Sequence, residues 1–313
     1  MLSPPPIVFV DCLVIVIALA ALAIAGDFFV QGAAAIGGRL GLSSAAIGAT
    51  VVAIGTSLPE WAVAVGAALQ GYSGLSAGAV VGSNVCNVCI ILGLSALVTP
   101  LLVSRRWVRR DGALMIAATV AFIAVAWDGA IGRLEGILLL LGAVAVITIH
   151  LVSREEETEN EAAPRFRLWD PLRAAAALAV VLTASHFFVQ SATRLATAVG
   201  VSPWIIGITV AAIGTSLPEL VTCLAAAWRK RPGMVFGNLL GSNCMNILFV
   251  LGSAATLSPI KVAELNPPQA LIFAGLTLLP VVMMNTRLLL ARWEGGLLVA
   301  CGLGWILLES LRA

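Results

Sequence analysis

The hexapeptide GTSLPE occupies residues 55–60 and recurs letter for letter at 214–219. Each copy places two hydroxyls, a proline and a carboxylate inside apolar sequence. Pro59 and Pro218 lack an N–H, so each leaves the carbonyl four residues earlier, Gly55 or Gly214, without its helical donor and tends to kink the helix there. A freed carbonyl beside a Thr, a Ser and a carboxylate is a cation-binding donor set. Glu60 and Glu219 supply charge, and Thr56, Ser57, Thr215 and Ser216 supply hydroxyls. The segments GSNVCN (82–87) and GSNCMN (241–246) add Ser83, Ser242, Asn87 and Asn246. These hard oxygens suit Ca²⁺, Na⁺ or Mg²⁺ and argue against Zn²⁺ or Cu⁺, whose sites favour His and Cys. Two carboxylates neutralise one Ca²⁺ or two Na⁺, and a bare buried pair would repel, so the pair has to hold one load or the other.

The elements that carry these residues belong in lipid. With 60% hydrophobic and 11% charged residues, the chain has too little polar surface to cover a water-soluble globule. Its mean hydropathy of +1.04 agrees. Apolar stretches at 7–36, 43–70, 73–98, 112–127, 132–152, 171–199, 202–228, 233–258, 268–286 and 293–311 predict ten transmembrane helices, each near the ~20 residues a span needs. In lipid, irregular backbone is tolerated mainly where it is buried in protein or lines a polar cavity, which favours a site at the two kinks.

Charge placement sets the orientation. With the N-terminus outside, the inner side collects Arg39, Arg105, Arg106, Arg109, Arg110, Arg154, Arg165, Arg167, Arg173, Arg229, Lys230, Arg231, Arg287 and Arg292, which is 14 of 18 basic residues. Both termini are then outside. Trp107, Trp127, Trp169, Trp204, Trp228 and Trp293 fall near span ends and read as interfacial anchors. Topology accounts for the basic residues, and nothing points to a nucleic-acid partner. The six cysteines sit in apolar spans as small hydrophobes, and Cys86 and Cys89, though spaced CxxC, lack a second pair to make a metal site. The first span reads as a retained helix rather than a signal peptide.

The polar stretch from Ser153 to Pro171 reads as a solvated cytoplasmic linker (153–170) between a first five-helix repeat (1–152) and a second (171–313). Residues 41–60 align with 200–219 without a gap, 14 of 20 identical at an offset of 159. The same offset pairs Phe28-Phe29-Val30-Gln31 with Phe187-Phe188-Val189-Gln190, Gly82-Ser83-Asn84 with Gly241-Ser242-Asn243, and Asn87 with Asn246. Five spans per copy is an odd number, so equivalent helices cross in opposite directions. That is the inverted-repeat plan of a secondary transporter, with its site near the midplane on interrupted helices.

These paired motifs resemble the alpha-repeats of the calcium/cation antiporter superfamily, and the ten-span layout resembles its prokaryotic sodium/calcium exchangers. The resemblance implies an antiporter of the cell (inner) membrane that exchanges Na⁺ for Ca²⁺ without a cofactor, for which a monomer suffices. It implies that Glu60 and Glu219 bind both ions, that Thr56, Ser57, Ser83, Thr215, Ser216 and Ser242 serve Na⁺ or Ca²⁺, and that the carbonyls of Ala53 and Ala212 complete sodium sites. The first and sixth spans would slide across the rest. Some members carry Asp where this chain has Asn87 or Asn246. The potassium-dependent branch has Asp where Glu219 stands, and the proton/calcium branch has GNxxE in place of GTSLPE, so both fit less well. A cation channel would need a continuous path, which broken inverted repeats disfavour, and an enzyme is unsupported by any HExxH in a chain with only two His. Asp27 and His186, at matched positions in the sliding spans, are candidates for gating or a hydrogen-bonded mouth.

Overall fold

Hydrocarbon offers no partner to a backbone N–H or C=O, so runs this apolar coil into helices that satisfy their own backbones. The computed structural model describes residues 6–152, 166–200, 212–262 and 267–312. In chain order the helices are α1 (Pro6–Leu40), α2 (Ser44–Thr56), α3 (Leu58–Leu69), α4 (Ser73–Val98), α5 (105–125), α6 (Arg133–Val152), α7 (Asp170–Ala198), α8 (Ala212–Thr215), α9 (Leu217–Trp228), α10 (Pro232–Leu257), α11 (Pro267–Arg287) and α12 (Arg292–Arg312). Four two-residue strands lie between them: β1 (Leu101–Leu102), β2 (Ala130–Ile131), β3 (Ile260–Lys261) and β4 (Leu289–Leu290).

Among the described residues, seven helices are long and apolar enough to cross a membrane, or eight if the bent pair α2–α3 is one span. Ten were expected; of the other two, one is short and the other lies partly outside the described residues. Arg105, Arg106, Arg109 and Arg110 fill the start of α5 and leave an α-helical apolar part, Ala113–Val125, of 13 residues. Of the stretch 202–228, residues 202–211 lie outside the described residues.

The offset that relates the motifs also relates the contacts. β1 pairs antiparallel with β4, Leu101 opposite Leu290, and β2 pairs antiparallel with β3, Ile131 opposite Ile260. Adding 159 to Leu101 gives Ile260, and subtracting it from Leu290 gives Ile131, so one ribbon is the image of the other. Beyond β2 and β4 the register persists, with Arg133, Glu135 and Gly136 matching Arg292, Glu294 and Gly295. α12 packs on α4, and its counterpart α6 packs on α10. The two copies thus make equivalent contacts.

Helices α4 and α10 form the centre; 72% and 94% of their spans are buried, against 33% for α1 and 28% for α7. α1 and α7 pack along each other antiparallel, since Asp11 meets Arg194 at 2.6 Å at one end and Gly32 faces Ala174 at the other. Their contact forms a small apolar cluster of its own, with Ala18, Leu22, Ala25, Val181 and Ala184 meeting Leu217 of α9. One expected anchor is corrected: Trp107 is buried against Phe236, with ring centroids 6.3 Å apart, because the chain folds back from β1 into the bundle before α5 begins. Trp127, Trp169, Trp228 and Trp293 are exposed, and Trp204 lies outside the described residues.

Candidate functional site

Both hexapeptides break their helices. α2 and α3 meet at 46°, and the break falls at Ser57 (φ −82°, ψ 6°), with a matching one at Ser216 (φ −88°, ψ 8°) between α8 and α9. Pro59 and Pro218 occupy the first turns of α3 and α9, where a missing N–H costs nothing. The interruption therefore sits two residues beyond Gly55, where the kink was expected. It leaves Glu60 and Glu219 in the first turn of a helix, whose dipole favours a carboxylate.

Both carboxylates are buried, and their partners are reciprocal. Glu60 Oε1 accepts from Ser83 and Ser216, each at 3.2 Å. Glu219 Oε1 accepts from Ser57 at 3.3 Å and Ser242 at 3.5 Å. Each glutamate is thus held by one serine from its own copy of the repeat and one from the other. Thr56 returns its hydroxyl to Val52 O at 3.0 Å and also faces Glu219. Thr215 ends α8 beside Ser216. The Ala53 carbonyl, expected as a ligand, accepts the Ser57 N–H at 3.1 Å and lies 3.4 Å from the Thr56 hydroxyl, whose nearer acceptor is Val52 O, while Ala212 lies on α8.

The asparagines interlock between the two copies in the same reciprocal way. Asn84 Nδ2 donates to the Asn243 carbonyl and Asn243 Nδ2 to the Asn84 carbonyl, both at 3.2 Å. A carbonyl accepts only, so these bonds fix both amides and leave Asn243 Oδ1 and Asn84 Oδ1 to accept from Asn87 Nδ2 and Asn246 Nδ2, each at 3.1 Å. With their amino groups committed, Asn87 and Asn246 present bare Oδ1 atoms. Each stands in a π-helical turn, Cys86–Ile91 or Asn246–Leu251, a deviation common at functional sites. Glu60 Oε2, Glu219 Oε2, Asn87 Oδ1 and Asn246 Oδ1 are all buried and, among the described residues, have no hydrogen-bond partner. Four orphaned acceptor oxygens in two symmetric pairs are costly unless a cation uses them. Asn84 and Asn243 orient this set and were missed from sequence, although the GSN tripeptides that contain them were noticed.

The outer candidates lie elsewhere. Asp27 of α1 is ion-paired with Arg229, just after α9, and bonded to Gln31 at 2.8 Å. His186 of α7 is exposed and meets Gln190 at 2.9 Å, the equivalent of the Asp27–Gln31 contact. Cys86 and Cys89 are buried in the π-helical turn of α4.

Broken, carboxylate-bearing helices inside a multi-pass membrane bundle define an integral membrane protein with a buried cation-type donor set. The pattern of the family described as sodium/calcium exchanger protein matches residues 11–152 and 171–307, and the chain belongs to that family. It is 36% identical over 239 residues to inner membrane protein YrbG of Escherichia coli, covering 72% of this chain and 73% of that one. It is 29% identical to the sodium/calcium exchanger MaX1 of Methanosarcina acetivorans over 93% of this chain and 95% of that one. A structure of the sodium-calcium exchanger NCX_Mj, soaked with Na⁺ and Sr²⁺, superposes with a TM-score of 0.85 at 29% identity, covering 96% of this chain and 98% of that one.

Proposed function

We propose that this chain exchanges Na⁺ for Ca²⁺ by alternating access, at a site formed by Glu60, Glu219, Thr56, Ser57, Thr215, Ser216, Ser83, Ser242, Asn87 and Asn246 with the carbonyls of Ala53 and Ala212. The observation that carries it is the symmetric set of orphaned oxygens on the two glutamates and two asparagines. All are hard donors, and two carboxylates balance one Ca²⁺ or two Na⁺. The relatives named sodium/calcium exchanger support the choice of ions.

The proposal takes the chain as ten spans in two inverted halves, 1–152 and 171–313, joined by a cytoplasmic linker at 153–170, with both termini outside. The antiparallel run of α1 beside its equivalent α7, and the mirrored ribbons, support the inversion. α1 and α7 would slide as one unit to expose the site to either side. Their small facing residues and lighter burial suit that role. The name of the YrbG relative supports a place in the inner membrane.

The test is sodium-driven ⁴⁵Ca²⁺ uptake into liposomes holding the pure protein. An outward-directed Na⁺ gradient should drive uptake, and Glu60→Gln or Glu219→Gln should each reduce it to background while the protein still purifies as a monodisperse peak. Uptake driven by a proton gradient alone, or Ca²⁺ entry without any counter-gradient, would rule out sodium coupling or exchange respectively. Near-normal uptake in either glutamine variant would remove the site assignment.

A further inference from the structure

The two halves of the site are not equal, and the inequality is at Asn238. Subtracting the offset of 159 places Ala79 at its equivalent in the first copy. Asn238 is 1% exposed and stands one turn before Ser242 on α10. Its Nδ2 lies 3.1 Å from Thr222 Oγ1 and 3.1 Å from Cys223 Sγ. Thr222 spends its own hydroxyl proton on the Pro218 carbonyl at 2.8 Å, or on that of Glu219 at 3.0 Å, so its oxygen can only accept from Asn238. That chain of bonds fixes the amide. Its Oδ1 is therefore the atom that faces Thr56 Oγ1 and Ser242 Oγ, each at 3.4 Å.

A hydroxyl can offer a lone pair to a cation only if its proton points elsewhere. Beside Glu219, Thr56 and Ser242 are the hydroxyls in question, and in the arrangement described their protons go to the Val52 carbonyl and to Glu219 Oε1. Once a cation occupies the carboxylate, the Ser242 proton can no longer point at Glu219 without facing the positive charge. We propose that Asn238 is a positioning residue that receives the Ser242 and Thr56 protons at its Oδ1 and turns their lone pairs toward the cation beside Glu219. A methyl group at Ala79 cannot do this for the half built on Glu60. The Glu219 half is thereby the stronger cation-holding half, and Thr222 is the brace that keeps the amide from flipping its NH₂ into the site. Outer contacts of this type are worth about 10–100-fold in metal affinity.

This inference rests on the site reading proposed above, and the experiment separates the two. In the full-length protein reconstituted in liposomes, the half-saturating Ca²⁺ for uptake and the half-saturating Na⁺ for Ca²⁺ release are measured beside the melting point in cation-free choline buffer. Asn238→Leu removes the acceptor at similar volume. It should raise both half-saturation values about tenfold or more, leaving the maximal rate at saturating cation and the cation-free melting point near wild type. Asn238→Asp keeps an acceptor oxygen and should restore half-saturation to within about threefold of wild type. If Asn238→Leu fails to fold, Thr222→Val, which frees the amide to flip, provides the same reading with a smaller rise. Unchanged half-saturation in a folded Asn238→Leu or Thr222→Val protein, with Glu60→Gln inactive, overturns the role of Asn238 alone. An Asp variant as impaired as the Leu variant, with both melting lower, makes Asn238 structural and also overturns it. An active Glu60→Gln protein would instead remove the site reading beneath it.

Discussion

The crossing of α4, α10 and α2 and the pair α1–α7 are held together by different means. At the centre, backbones nearly touch: a Cβ on Gly48 would lie 2.6 Å from the Met234 carbonyl, and one on Gly241 would lie 2.6 Å from Ala49 Cα. Asparagine amides then tie one copy of the repeat to the other through four bonds whose donors are all fixed. At the rim, α1 meets the bundle through small or flexible groups. A Cβ on Gly26 would stand 3.3 Å from Val221 and Asp27 is ion-paired with Arg229, while within the pair Arg173 of α7 stacks over Phe28 of α1 at 4.4 Å. None of the proposed ligands lies on α1 or α7. On the proposed function this is a division of labour: selectivity would reside in a frame that cannot shift without losing its hydrogen bonds, and access would depend on a pair that can shift without disturbing a ligand.

Substitutions of one kind in the two regions sharpen that contrast. The largest effect is expected from Gly237→Val, because even a Cβ there would overlap the Ala45 carbonyl oxygen of the neighbouring backbone. No monodisperse protein should be recovered by size-exclusion chromatography in detergent, and a folded, active variant would show that the centre yields more than described. Asn84→Ala should fold but lose about 1–3 kcal/mol, since it strips one bond from the Asn243 carbonyl and leaves the Asn246 amide without its acceptor. Its melting point should drop clearly, and calcium affinity should fall with it as Asn246 loses its orientation. Gly26→Ala should change the melting point least, within about 1 kcal/mol, because Val221, whose Cβ, Cγ2 and carbonyl oxygen would each stand 3.3 Å from the new methyl, has to give by only a few tenths of an ångström. It should instead slow turnover several-fold at unchanged half-saturation. A Gly26→Ala protein that melts as early as Asn84→Ala, or that binds calcium less tightly at normal turnover, would erase the distinction between frame and sliding pair.

Much of the centre was legible in the sequence because it is written twice. Any residue present at both members of an offset pair stood out, which gave the glutamates, the hydroxyls and the two bare asparagines. The same filter hid Asn238, whose partner position is an alanine, and it undervalued Asn84 and Asn243, whose work is done on other side chains rather than on the ion. The ribbons were illegible because two residues are too few to show a period. Trp107 misled for a physical reason, since an indole at the start of an apolar stretch is suited both to the membrane interface and to a buried aromatic contact, and Phe236 decided between them. The kink was misplaced by two residues because a proline in a first helical turn marks where a helix begins, not the carbonyl at which the preceding one stops.

The two ribbons set the order in which the protein can be finished. Leu101 and Leu102 find their backbone partners only at Leu290 and Leu289, and Ala130 and Ile131 theirs at Lys261 and Ile260. At about 5–20 residues per second of synthesis, the first ribbon strand waits roughly 10–40 s for its mate. For most of that interval, until residue 246 has been made, the carboxylate of Glu60 and the amides of Asn84 and Asn87 also lack the Ser216, Asn243 and Asn246 groups that will satisfy them. The nascent first half therefore waits twice, for α10 to cover its polar groups and then for β4 to pair its first ribbon strand.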